Sequence, residues 1–157
     1  MVNGDNLVYA GFWIRVWASI IDTVLLGFIT IPILLSIYGT EYFNSKSVIQ
    51  GSADFFLSYV LPAIAVIVFW IYKSATPGKM AISAKIVDAE TGGNPSTAQC
   101  IGRYFAYFVS ALPLCLGIFW VAFDKKKQGW HDKLAGTVVV RKKNGGVEPV
   151  TFTRSAR

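Results

Sequence analysis

The chain has 157 residues, of which 54% are hydrophobic, 15% aromatic and only 15% charged, with a mean hydropathy of +0.48. Soluble domains usually carry about a quarter charged residues; this composition excludes an ordinary water-soluble globule and leaves much of one small domain's surface to face lipid. A net charge of +6 in so apolar a chain points to anionic headgroups and away from nucleic acid.

The first eleven residues contain Asp5 and no Lys or Arg. No small-residue cleavage site follows the apolar run, so a removed signal peptide is not expected. Three apolar segments come next, at residues 12–38, about 55–72 and about 104–123, each close to the roughly 20 residues a helix needs to cross a bilayer. Trp13, Trp17, Tyr38, Trp70, Tyr72, Tyr104 and Trp120 lie toward the segment ends, where amphipathic rings favour the membrane interface. Pro32 and Pro62 predict bends within the first two helices, since each removes one backbone donor.

Thirteen of the fifteen basic residues follow residue 72, while the 39–54 connection holds only Lys46. The positive-inside rule therefore places that connection outside, and the amino terminus, the 73–103 connection and the tail in the cytoplasm. Three full crossings would put the tail on the wrong side. Pro113 and Gly117 offer a resolution, because they allow the third segment to enter and return as a re-entrant hairpin. A straight third span, or an inverted protein, is the alternative.

Between the second and third segments, Thr76-Pro77-Gly78-Lys79 fits a type II turn, and residues 80–88 alternate as a strand does. Glu90 to Pro95 reads as a further turn, with residues 96–98 as a returning hairpin arm. Residues 137–141, Thr-Val-Val-Val-Arg, are β-prone. The two runs predict a small sheet on the cytoplasmic face, since neither is stable alone. The fold expected is an α-helical integral membrane protein over residues 1–141, with two spanning helices, a third apolar helix or re-entrant hairpin, and this β element. Residues 142–157 are expected to be a flexible basic tail.

Charges inside apolar segments are the candidate functional groups. Arg15 and Asp22 are seven residues apart, about 10 Å along a helix and on nearly the same face. A carboxylate at membrane depth is costly and marks a functional site by default. Asp22 is therefore the candidate proton or cation site, although gluing helices together is a competing role. Arg15 can reach headgroups or join a charge network. Arg103 and the Lys125-Lys126-Lys127 run are expected to meet headgroup phosphates. Asp132 could simply cap a helical turn, and His131, the sole histidine, could titrate near neutral pH. Gly102, Ala106 and Ser110 form a small-residue strip suited to close helix packing. Cys100 and Cys115 lack metal or disulfide spacing and are expected to be packed thiols. No nucleophile triad, phosphate loop or metal-spaced cluster appears, so neither enzyme activity nor a cofactor is expected.

Three blocks carry a family resemblance: Gly11-Phe12-Trp13-Ile14-Arg15 with Ala18 and Asp22; Thr76-Pro77-Gly78-Lys79; and residues 128–137, Gln-Gly-Trp-His-Asp-Lys-Leu-Ala-Gly-Thr, before the valine run. Over about residues 9–141 the chain resembles the RDD family of small membrane proteins, named for one arginine and two aspartates. The resemblance matches Arg15 to the arginine and Asp22 and Asp132 to the aspartates. It implies a cell-membrane protein of broadly unassigned function, for which transport has been proposed and exchange of monovalent cations for protons described in some members. The expectation is a multi-pass homo-oligomer that moves monovalent cations against protons, with Asp22, Arg15 and Asp132 as the ion or proton site. A membrane scaffold or interaction module that packs helices and binds lipids or partners is the alternative.

Overall fold

A computed structural model describes residues 7–45 and 47–142. The structure opens with strand β1 (Leu7–Tyr9), followed by helix α1 (Phe12–Tyr38). A short 3-10 turn over Thr40–Phe43 leads to helix α2 (Ser52–Phe55), which continues through a π-helical turn at Phe56–Val60 into helix α3 (Leu61–Lys73). Both α1 and the continuous Ser52–Lys73 helix are long and apolar enough to cross a membrane. The π turn immediately precedes Pro62; the extra backbone residue it inserts accommodates a proline that can neither donate nor sit under an ordinary α-helical carbonyl. Pro32 lies inside α1 without ending it.

The two long helices wear their apolar side chains outward. On α1 only Ala18, Thr30 and Leu34 are buried, and Phe28 is 76% exposed. Such a surface is stable only against lipid or another apolar partner. Polar side chains on α1 turn back onto their own helix: Ser19, Thr23 and Thr30 hydroxyls donate to the Arg15, Ser19 and Leu26 carbonyls, which satisfies them without water.

Residues expected to form a turn and the start of a strand instead build helix α4 (Pro77–Ala81), with strand β2 (Ala84–Asp88) after it. Proline at the first helical position is favourable because its missing donor is one that the first turn leaves unused. The turn after β2 is present: the Asp88 carboxylate accepts from the Glu90 and Thr91 amides and the Thr91 hydroxyl. The predicted returning arm at residues 96–98 is absent. Ser96 caps helix α5 (Thr97–Ala111), its hydroxyl accepting from the Gln99 amide while the Gln99 side chain accepts from the Ser96 amide, a capping box that outweighs strand pairing locally.

The third apolar segment bends. Helix α5 and the following residues 116–122, which comprise helix α6 (Leu116–Phe119) and a 3-10 turn, meet at 113°. Leu114 and Cys115 take the left-handed conformation at the corner, and Gly117 packs directly on Ser110: a Cβ at Gly117 would fall 2.8 Å from the Ser110 Cα. Cys115 is exposed at this corner, contrary to the packed thiol expected there, while Cys100 is buried.

Helix α7 (Trp130–Leu134) and strand β3 (Thr137–Lys142) complete the described chain. Strand β3 is central, flanked by β1 and β2, both antiparallel to it, with Val8 opposite Arg141 and Ile86 opposite Val139. One face of the sheet joins Ala84, Ile86 and Val139 to Trp70 and Cys100 of the helices; the other gathers Leu7, Val87, Val138 and Val140. β1 completes the sheet and was not expected from the sequence. The sheet holds together chain segments that precede α1, follow α3 and follow α6, so the ends of the third apolar segment return to one end of the helices. Of the predicted tail, Lys142 closes β3 and the rest lies outside the described residues.

The contrast between two glycines tests the bend. Gly117→Ala is expected to lower stability by about 1–3 kcal/mol through overpacking, read as the melting midpoint in detergent. Gly102→Ala, where a Cβ meets nothing within 4 Å, should leave it unchanged or raise it slightly.

Candidate functional site

Two carboxylates, Asp132 and Asp22, organise the polar groups among the helices. Asp132 is fully buried. It accepts a hydrogen bond from Arg15 Nη1, and its other oxygen lies 2.6 Å from Arg103 Nη2. The Gly129 amide also donates to it, at 3.1 Å. The expected capping role is therefore real and is combined with two ion pairs. Arg15 is further held by its Nε donating to the Ala10 carbonyl and its Nη2 to the Lys127 carbonyl at 2.5 Å. It neither pairs with Asp22 nor reaches for headgroups.

Arg103 corrects the sequence expectation of a lipid contact. It is 1% exposed, packed in the interior with its guanidinium 5.1 Å from the centre of the Trp70 ring and 6.0 Å from that of Tyr107. Its contact with Asp132 is ionic and not directionally aligned, since among the described residues none of its nitrogens finds a hydrogen-bond acceptor. Trp70, expected at the interface, is buried by the same packing. The basic run behaves differently: Lys125 and Lys126 are exposed, whereas the Lys127 ammonium donates to the Ala122 carbonyl.

Burial alone would raise the Asp132 carboxyl, but the Arg103 and Arg15 guanidiniums outweigh it and hold the group well below the usual carboxylate range. His131 stacks on Tyr107 with ring centres 3.8 Å apart. Its burial pushes it down to about 3 against the pull of Asp132, so it is neutral at physiological pH and does not titrate there as expected. The Asp132 neighbourhood is thus a closed charge cluster that binds the start of α1, α5 and α7 to one another.

Asp22 is placed elsewhere. Its two carboxylate oxygens accept from the Thr76 hydroxyl at 2.5 Å and the Gly78 amide at 2.6 Å, so an aspartate of α1 caps the first turn of α4. The approach is possible because Gly78 has no side chain: a Cβ there would run into the Ala18 carbonyl and stand 2.9 Å from the Asp22 Cγ. Beside this contact lies a cavity of about 490 Å³, whose walls come from α1, α3 and α5 and whose polar lining includes Asp22, Thr76 and Lys79. Lys79 is 8% exposed. Burial, followed by the Arg103 charge, lowers its ammonium to about 7 despite the opposing effect of Asp22.

Residues 9–136 match the RDD family. The chain belongs to the RDD family. It is similar to an uncharacterized protein of Rickettsia prowazekii, 33% identical over 87% of this chain and 98% of the relative. It is also 32% identical to the uncharacterized protein YxaI of Bacillus subtilis, over 85% of this chain and 97% of that one, and 28% identical to the uncharacterized membrane protein YteJ of the same organism, over 86% and 82%. No solved structure matches.

Of the three charged residues that the resemblance singled out in this RDD-family chain, Arg15 and Asp132 are brought together, while Asp22 is kept apart. Lys79 joins Asp22 in the cavity and was overlooked, although it closes the Thr-Pro-Gly-Lys block. Asp54 was also missed; it is buried and accepts from the Tyr42 and Ser58 hydroxyls and the Gln50 amide, which ties the 40–50 connection to α2. Among the described residues, no group of three His, Cys, Asp or Glu could hold a metal ion.

Asp132→Asn is expected to destabilise the protein by about 3–5 kcal/mol at neutral pH by leaving two buried guanidiniums unpaired. Because the folded carboxyl lies below its unfolded value, the wild-type advantage should be complete above about pH 4 and shrink as pH falls further. Melting of both proteins in detergent across that range measures it.

Proposed function

We propose that the protein exchanges a monovalent cation for protons across the cell membrane, with Asp22 as the carboxylate that faces the cation. The supporting observation is that Asp22 lines a cavity between the two long helices and α5, whereas Asp132 is enclosed by guanidiniums. Arg15, Arg103 and Asp132 hold the helices in place around that cavity. A carboxylate with further lone pairs in a low-dielectric pocket attracts a small cation strongly.

In this reading the chain is multi-pass, with α1 and Ser52–Lys73 as the spans and α5 with α6 as a re-entrant unit. The sheet and exposed Lys125 and Lys126 lie on the cytoplasmic side, where anionic headgroups attract them, and the C-terminal tail follows on that side. One copy is small for a two-sided pathway, so the working unit is a homo-oligomer.

A scaffold or interaction role is the second reading. It is favoured by Asp22 itself, whose two oxygens each have a donor in α4, so the carboxylate already has a structural use. Flux measurements separate the two. Wild-type protein in proteoliposomes is expected to couple Na⁺ or K⁺ movement to opposing proton movement, and Asp22→Asn, which keeps an acceptor for the Gly78 amide, should lose at least about tenfold of that rate while still inserting and melting cooperatively. Wild type without flux over a range of cations and pH defeats the exchange reading; equal rates in both proteins remove Asp22 as the site.

A further inference from the structure

We infer that Lys79 releases the proton that is exchanged, its neutral amine making room for the cation beside Asp22. This inference rests on the exchange reading above and assigns the proton to a group distinct from the carboxylate. Lys79 is more than nine-tenths buried and lines the same cavity as Asp22. Among the described residues its ammonium makes no hydrogen bond or ion pair; its contact is with the Trp70 ring, 5.8 Å from the ring centre. Lysine side chains this buried are uncommon unless paired.

The charges around it explain why its proton and a cation would compete. From α1 it faces Asp22 and Arg15, from α5 Arg103, and from α7 Asp132 and His131. Tyr104 and Tyr107 of α5 share the cavity wall. Arg15 and Arg103 are committed to Asp132. Among the described residues lining this pocket, Asp22 is then the anion left to balance both Lys79 and an entering cation, and two positive charges between its largely apolar walls repel each other. A cation entering beside Asp22 expels the Lys79 proton to water in the cavity, leaving a neutral amine. The proton returns when the cation leaves. One charge replaces another, so the exchange is electroneutral. The value of about 7 that burial and Arg103 set for Lys79 makes this release feasible at physiological pH.

The test follows the amine directly. Full-length protein in nanodiscs is acylated with acetic anhydride over about pH 6 to 8, and Lys79 is quantified by peptide mass spectrometry against exposed Lys125 as reference. Na⁺ or K⁺ is expected to raise Lys79 acylation at neutral pH at least about threefold, since only the neutral amine reacts. Asp22→Asn should abolish that cation effect. In proteoliposomes, Lys79→Met should let cations move with proton coupling reduced at least about tenfold, and Lys79→Arg, which stays charged, should block cation movement as well. Acylation indifferent to cations, or a Lys79→Met protein that still exchanges protons like wild type, overturns the inference while leaving exchange through Asp22 standing. A wild type that shows cation-dependent acylation but no flux sinks the exchange reading and upholds the linkage between cation and Lys79 proton.

Discussion

The junction of α1, α5 and α7 depends on how Asp132 is satisfied. Burying one carboxylate is costly, and burying two guanidiniums is costly too, yet together they compensate if their geometry is held. Arg15 is attached to the start of α1, Arg103 to the middle of α5, and Asp132 to the first turn of α7, so satisfying the cluster sets where those three elements meet. The Lys127 and Ala10 carbonyls complete the coordination of Arg15, drawing in the loop before α7 and the residue that leads from β1 into α1.

With that junction in place, the remaining contacts follow from size. Gly78 brings the first turn of α4 onto α1, and Gly117 brings α6 back onto Ser110. The first approach lets Asp22 replace the missing carbonyl acceptors at the start of a short helix; the second folds an apolar segment back on itself. The cavity lies between α1, α3, α4 and α5, with Trp70, itself packed against Arg103, in its wall. Its amine and carboxylate come from different elements, and neither is neutralised by the Asp132 cluster.

Much of the fold was legible in the residues. The apolar runs, the proline inside α1 that does not end it, the Pro113 to Gly117 corner and the strand at residues 137–141 all follow from local preferences or hydropathy. The charge asymmetry called for the third segment to depart from a straight span, and it is bent by 113°. The missed arm at residues 96–98 had a local cause, the Ser96 and Gln99 capping box, but two other errors arise from partners distant in sequence. Thr76-Pro77-Gly78-Lys79 has equally good turn and helix-start chemistry, and the choice was made by an acceptor 54 residues away, the Asp22 carboxylate. Arg103 looked like a headgroup ligand because its sequence neighbours do not reveal a buried aspartate on another helix. Of the Gly102, Ala106 and Ser110 strip, Ala106 and Ser110 are packed as expected, while Gly102 faces open space and Arg103 takes the packed position beside it.

By itself the sequence determined that the chain belongs in a membrane, where its apolar helices lie, and which charged residues are unusual enough to matter. Hydropathy and backbone chemistry are local or one-dimensional, so they can be read along the chain. Only the tertiary structure decided which charge meets which: Arg15 with Asp132 and not Asp22, Arg103 inward and not toward lipid, and Lys79 into the cavity. Those outcomes depend on burial and on distances between elements far apart in sequence. A charge has no preferred partner until packing removes water and leaves one within reach.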